Sequence, residues 1–346
     1  MNILIVKLSA IGDVVHTLHV LEALRKRFPG ARIDWVVEED SSQVLFGHPA
    51  LNRVIVLRRK AWQKSLFNRT HGRSILREVF AFVDELRRYP YDLVIDLQGL
   101  LKSGVVVGLS RGKRKIGMGG SREGARLFLN EGPIPVGYDQ HAIDRYLRVA
   151  ESIGCEDAGS GGRIPYAESD KVSVDEILDR HEIKNGPFVA INPMAKWPTK
   201  LWVAERFAVL ARRMREELGF EIVFTGSMSD RPVIEDMARE MASPPLNLAG
   251  RINLKELAYL YTRCRLMVST DTGPMHVAAA MGCPVVALFG PTAPWRTGPY
   301  GKGHVVVRAD VGCSPCFKKR CAHMTCMKEI GVDQVLRAAQ EVMLHS

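Results

Sequence analysis

The stretch VSTDTGPMHVAAAMGCPVVALFGPT, Val268 to Thr292, passes from an apolar strand through a polar turn into a helix and out into a second apolar strand. Two β-branched runs joined by a small-residue helix are the mark of a parallel βαβ unit. Pro274 falls in the first helical turn, where its missing N–H costs nothing, so Asp271, Thr272 and Gly273 lie at a helix N-terminus. The unpaired N–H groups of such a turn point outward and favour an anion, for which a diphosphate is the natural guest. Asp271 and His276 are near enough in this turn to touch one ligand, the carboxylate accepting from sugar hydroxyls and the imidazole donating to phosphate. The alternative is that Asp271 only caps the helix and His276 packs on the core.

The same alternation extends on both sides of this unit. FVAINP (Phe188 to Pro193), EIVFTG (Glu221 to Gly226), RLMVSTD (Arg265 to Asp271) and PVVALFG (Pro284 to Gly290) form one series of strands. ILIV (Ile3 to Val6), IDWVV (Ile33 to Val37), RVIVL (Arg53 to Leu57) and DLVIDL (Asp92 to Leu97) form an earlier one. Between them, from Cys155 to Lys171, the chain turns to Gly, Ser and charged residues with no apolar period, which predicts a linker. The expected organisation is an α/β fold of two facing Rossmann-like, doubly wound domains, residues 1–160 and 161–330, with ligands in a cleft at the C-terminal ends of the strands. Residues 331–346 follow as a tail; Val332 to Leu344 reads as a helix with Val335, Leu336, Ala339 and Val342 or Met343 on one side. Its expected docking place is back on the first domain.

Composition agrees with two cores: 346 residues, 46% of them hydrophobic. No apolar run is long enough to span a bilayer, and the first residues lack the order of a secretory signal, so a soluble intracellular protein is expected. Lys and Arg total 48 against 38 Asp and Glu, a formal charge of +10 that favours an anionic partner without naming it.

Two more turns follow second-series strands. NPMAKWPTKLW brings Lys196 and Lys200 beside Thr199, suited to neutralising a leaving phosphate. TGSMSD ends in Asp230, which could accept from ribose hydroxyls or simply cap the next helix.

Taken together, KLSAIGDVVHTL, DLQGLLKSG, NPMAKWPTKLW, STDTGPMHVAAAMGCPVVALFGPT and CSPC resemble the lipopolysaccharide heptosyltransferases, glycosyltransferase family 9. The likeness runs from the first strand to the cysteine tail. It implies a GT-B fold, ADP-L-glycero-β-D-manno-heptose as donor, and metal-independent inverting transfer onto the inner core of lipid A. Carried over by motif, Lys200, Thr272, Gly273 and His276 would hold the diphosphate, Asp271 the heptose hydroxyls and Asp230 the ribose. Ile252, in AGRINLKEL, would lie against the adenine.

The first domain would then hold the acceptor. From Arg58 to Arg77 there are seven Lys or Arg and no acid, including Arg58, Arg59, Lys60 and Lys64; RGKRKIGM, with Arg122 and Arg126 beyond it, adds a second basic run. Kdo-lipid A carries phosphates and carboxylates that suit this charge, and Trp62 and Phe67 suit acyl chains at the cytoplasmic face of the inner membrane. Base stacking would suit the aromatics equally, but no nucleic-acid motif accompanies the run. Gln98 and Lys102 follow a strand and are expected to order the acceptor.

Asp13 is the candidate base, since inverting transfer needs one carboxylate to take the acceptor proton as the hydroxyl attacks. Gly12 beside it permits a close approach; the alternative is that both merely start a helix.

Cys313, Cys316, Cys321 and Cys326 are spaced C-x2-C-x4-C-x4-C, which could make a four-thiolate zinc site or hold an iron-sulfur cluster. Reduced thiols or a reversible disulfide are the alternatives, and any ion would be structural, since the transfer requires no cofactor.

RRKAW, DLQGLLKSG and DQHAIDRYL are similar to heptosyltransferase I, which uses Kdo as acceptor, whereas the cysteine tail is similar to types II and III, which extend an existing heptose. A dinucleotide oxidoreductase is disfavoured because KLSAIGD is not G-x-G-x-x-G. A non-enzymatic basic lipid- or RNA-binding module would need the Arg58 to Arg77 run but not the Asp-Thr-Gly turn.

Overall fold

The computed structural model describes residues 1–67, 72–156, 162–183, 186–239, 241 and 244–344. Residues 68–71 of the basic run, the side chain of Phe67, and residues 157–161 of the expected linker lie outside the described residues. The chain divides into two compact units, Met1–Pro165 and Tyr166–Ser346.

The first unit is built on β1 (Asn2–Val6), β2 (Arg32–Glu38), β3 (Arg53–Leu57), β4 (Tyr91–Asp96) and β5 (Gly112–Gly117). They form a parallel sheet in the order β3-β2-β1-β4-β5. Ile3, Leu4, Ile5 and Val6 of β1 are fully buried, as a central parallel strand covered on both faces requires. The strand order reverses between β1 and β4, so the segments that follow these two strands flank the switch point.

The second unit carries β6 (Phe188–Asn192), β7 (Glu221–Phe224), β8 (Leu246–Asn247), β9 (Leu266–Thr270), β10 (Val285–Leu288) and β11 (His304–Val307), in the order β11-β10-β9-β6-β7-β8. Its switch point lies between β6 and β9. The C-terminal helix, Val332–Leu344, was expected on the first domain; instead it belongs to the second unit's own core. Val335, Leu336, Ala339 and Val342 join Val286, Leu288 and Val307 in one cluster, covering apolar faces of β10 and β11 that would otherwise meet water.

Three strands lie outside the two series of runs read from the sequence. β5 lies inside RGKRKIGM, where the edge of the sheet is charged: Lys113 pairs with Asp92 at 2.9 Å and Arg114 with Glu131 at 2.6 Å. Those cations protect an open edge. The other two are the two-residue β8 and β11, the latter an edge strand behind a glycine-rich turn.

Candidate active site

In the first unit, strand register decides what meets at the switch point. Val6 lies opposite Asp96 across β1 and β4, so Lys7, the next residue, lies beside Leu97. The Lys7 ammonium donates to the Leu97 carbonyl at 2.8 Å and to the Tyr146 hydroxyl at 2.7 Å. Tyr146 in turn donates to Asp13 Oδ1 at 3.0 Å, and Lys7 Nζ stands 3.9 Å from the same oxygen. Asp13 is the third residue of the Ile11–Arg27 helix and does not occupy its N-cap, which is Ala10. Its Oδ2 accepts from the Ala10 N–H at 3.3 Å, while 41% of the side chain remains exposed. Gly12 lies buried in the same first turn.

Burial pushes the Lys7 amine below its ordinary value, against the pull of Asp13 and Asp96. Burial likewise pushes Asp96 up, opposed by donation from the Gly99 and Gln98 N–H groups and the Ser103 hydroxyl. The Tyr146 phenol is raised well above its ordinary value by burial and then by the Asp13 carboxylate, so it is a firm O–H donor.

The expected acceptor residues are less free than their charge suggests. Gln98 accepts from the Leu8 and Ser9 N–H groups at 3.1 Å each, which fixes the turn leading to Asp13. Lys102 donates to Ser9 Oγ at 2.6 Å and to Glu38 at 3.0 Å. Glu38 lies opposite Leu57 across β2 and β3, so the residues after both strands run side by side. Arg58 therefore pairs with Glu39 at 3.3 Å, Arg59 with Glu38 at 3.0 Å, and Lys60 with Asp40. Trp62 packs edge-on to Phe82 at 5.9 Å between centroids and donates to Glu78 at 2.9 Å, which makes it part of a helix-to-helix contact. Lys64 and Arg122 are exposed, and the Arg122 N–H donates to the Gly99 carbonyl at 2.9 Å, placing the residue by the Gln98 turn.

In the second unit, Asn192 lies opposite Ser269 across β6 and β9, and Leu288 opposite Thr270 across β10 and β9. Three turns thereby converge on Asp271. Lys200 Nζ meets Asp271 Oδ2 at 2.6 Å, and the Thr292 hydroxyl donates to the same oxygen at 2.6 Å. Asp271 is 5% exposed and is not the helix N-cap, a place taken by Thr272 before the Gly273–Ala280 helix. Gly273 and Pro274 are its first two residues, and His276 is buried in the same first turns. Lys196 is exposed, so of the two candidate lysines Lys200 is the one brought to the turn. Thr199 is 3% exposed and its hydroxyl donates to the Lys318 carbonyl at 2.8 Å. Asp230 accepts from the Ser227 N–H at 2.8 Å and hydroxyl at 2.6 Å, ahead of the Arg231–Arg239 helix. Ile252 is half-buried just before the Leu254–Arg263 helix.

The cysteine tail borders this donor-side corner. The Cys316 and Phe317 N–H groups donate to the Pro291 carbonyl at 3.0 and 2.8 Å. A Cβ at Gly290 would meet Met327 Sδ at 2.4 Å and Cys326 Sγ at 3.1 Å. Lys319 and Lys200 lie 5.0 and 4.6 Å from the Trp197 ring centroid. All seven cysteines are free thiols. Burial raises Cys326, helped by the nearby Cys313, Cys316 and Cys321; donation from the Met324 and His323 N–H groups lowers Cys321. Among the described residues no three His, Cys, Asp or Glu side chains stand together as a ready metal site.

Lys7, Tyr146, Glu38, Thr292, Trp197 and Lys319 enter these half-sites without having been singled out in the sequence. Thr292 had a signal, as the end of the GPT that closes the opening motif.

The family model described as Glycosyltransferase family 9 (heptosyltransferase) matches residues 79–326. Lipopolysaccharide heptosyltransferase 1 of Pseudomonas aeruginosa is 34% identical over 93% of this chain and 88% of its own length. The crystal structure of a family 9 glycosyl transferase from Veillonella parvula superposes with a TM-score of 0.85 at 28% identity, covering 100% of this chain and 98% of that one. The E. coli heptosyltransferase WaaC with ADP-2-deoxy-2-fluoro heptose gives 0.75 at 28% identity, with 99% of each chain covered.

Proposed function

The chain belongs to glycosyltransferase family 9, with the GT-B class of α/β fold, and from that premise we propose that it moves L-glycero-D-manno-heptose from ADP-heptose to Kdo-lipid A. The observation that carries the donor half is the Asp271 corner, where a helix N-terminus, Lys200 and Thr292 gather on one buried carboxylate. The free N–H groups at Thr272 and Gly273 suit the diphosphate, with His276 behind them, and Asp271 suits the heptose hydroxyls. Asp230 with the ribose and Ile252 with the adenine complete the reading.

Asp13 takes the proton of the acceptor hydroxyl as that oxygen attacks the anomeric carbon. The bond to the ADP oxygen breaks on the opposite face, and the products are the heptosylated acceptor, ADP and a protonated Asp13 that returns its proton to solvent. Lys200 swings from Asp271 to the charge developing on ADP. Arg58, Arg59, Lys60, Lys64, Lys102 and Arg122 meet the phosphates and carboxylates of the acceptor.

Choice of acceptor is tested by ADP release. Release with Kdo-lipid A is expected to exceed release with heptosylated lipid A by at least about tenfold, a difference on the order of 1.4 kcal/mol in transition-state binding. The opposite ratio would place the enzyme with the types that extend a heptose.

Association with the inner-membrane surface is supported by an apolar face on the first unit. Among the described residues no helix is long and apolar enough to cross a membrane. Leu101, Val105 and Leu109 are exposed along one side of the Leu101–Leu109 helix, next to the helix Gly72–Arg87 that exposes Leu76 and Phe80. With exposed Arg77 on the second of these helices and exposed Arg126 in the Ala125–Phe128 turn that packs on the first, such a face suits the boundary between headgroups and acyl chains of anionic lipid. Phe80→Glu combined with Val105→Glu is expected to abolish sedimentation with anionic vesicles and to spare turnover of a deacylated, soluble acceptor.

A structural zinc ion or iron-sulfur cluster at Cys313, Cys316, Cys321 and Cys326 is the remaining part of this reading. Its support is the C-x2-C-x4-C-x4-C spacing of the four cysteines within one short segment. Stoichiometric zinc or iron in the purified protein, lost in Cys326→Ser, is the outcome it requires.

A further inference from the structure

Lys7 is 2% exposed at the end of a central strand, a position where an aliphatic residue would fold at lower cost. A buried ammonium persists only where its donors are satisfied. Here they reach the Leu97 carbonyl and the Tyr146 hydroxyl, with the Asp13 carboxylate just beyond. An ammonium cannot accept, so Lys7 fixes the direction of the chain: Tyr146 oxygen accepts from Lys7 and gives its only proton to Asp13 Oδ1.

We infer that Lys7 and Tyr146 form a positioning pair for the base, holding Asp13 ionised and presenting Oδ2 as the oxygen that takes the acceptor proton. The inference rests on Asp13 being that base. A hydrogen bond and a positive charge both favour the carboxylate form, which keeps the base competent at lower pH and helps it lose its proton after each turnover. The Lys7 ring contact, 4.3 Å to the Tyr146 centroid, fixes the phenol from the side. Other groups facing the pair are Asp96 after β4, Arg145 beside Tyr146, Lys102 and Tyr138. The rings of His16 and His141 meet edge-on at 5.3 Å between the same two helices.

Tyr146→Phe keeps the ring and removes the proton donor. The carboxylate then loses stabilisation and is protonated at higher pH, so the acid limb of kcat/KM is expected to move up by about one pH unit. KM for ADP-heptose stays unchanged. Lys7→Met is expected to move the limb the same way, and Lys7→Arg to restore it. An unmoved limb in folded Tyr146→Phe, or equal profiles for Lys7→Met and Lys7→Arg, overturns the inference. A measurement on the wild-type chain keeps it testable if a variant fails to fold: the Asp13 carboxyl, followed by carbon-13 titration and assigned with Asp13→Asn, must titrate below an ordinary aspartate. An ordinary or raised value contradicts the pair's role whatever the activity. Turnover retained in Asp13→Ala would instead remove the base itself.

Discussion

Asp13→Ala is expected to lower kcat/KM by about 10²- to 10⁴-fold, the usual contribution of a positioned general base. The carboxylate is suited to this loss because it is anchored by its neighbours while part of its side chain stays at the surface. Tyr146 binds Oδ1, the Ala10 N–H approaches Oδ2, and 41% of the side chain remains exposed. Truncation removes the proton acceptor and leaves the second unit untouched, so ADP should raise the melting temperature of the variant and of the wild type alike. Asp13→Asn should be as inactive, since the amide keeps the shape and lacks the basicity. A variant that turns over at wild-type rate would remove Asp13 as base; one that loses the ADP shift would show a wider structural failure.

Lys200→Ala is expected to be the most damaging change on the donor side, for two separable reasons. In the resting protein Lys200 and Asp271 form a largely buried pair, their side chains 16% and 6% exposed. Removing the cation leaves the carboxylate with Thr292 as its remaining donor among the three turns, and breaking such a pair costs about 3–5 kcal/mol. A clear fall in melting temperature should result. In turnover the same ammonium stabilises the departing diphosphate, and its loss should reduce kcat by about 10²- to 10³-fold, as for other preorganised charge-stabilising groups. Lys200→Arg should recover the stability more fully than the rate, because the guanidinium keeps the charge and changes the geometry. Lys196→Ala is the matched control: that side chain is exposed, and its removal should change kcat by less than about twofold.

The two-sheet architecture was readable because central parallel strands are buried on both faces and so print as continuous β-branched runs, as in ILIV and RLMVSTD. Not every edge strand carries such a print, although β3 does as RVIVL. β5 was hidden by alternating Lys and Arg, and β8 is two residues long. The turns that bear Asp13 and Asp271 could be found from sequence because each follows a strand. The partners of Asp13 could not, because they are brought in from far along the chain. Tyr146 reaches Asp13 across 133 residues, and Lys7 reaches Tyr146 across 139. The basic run shows the same blindness in another form. It contains no acid of its own, yet the pairing of Glu38 with Leu57 sets Glu38, Glu39 and Asp40 beside Arg58, Arg59 and Lys60. Counting charge along the chain cannot see a neutralising strand next to it. The C-terminal helix was legible as amphipathic and illegible as to which apolar face it covers.

This chain is expected to add one heptose to Kdo-lipid A with inversion. The most direct measurement incubates the purified protein with ADP-heptose and Kdo-lipid A and determines the mass and anomeric configuration of the lipid product. A gain of a single heptosyl residue, attached to Kdo in the α configuration from the β-linked donor and absent with Asp13→Ala, is the predicted result. Unmodified lipid alongside released heptose, or a product that keeps the β configuration, would contradict it.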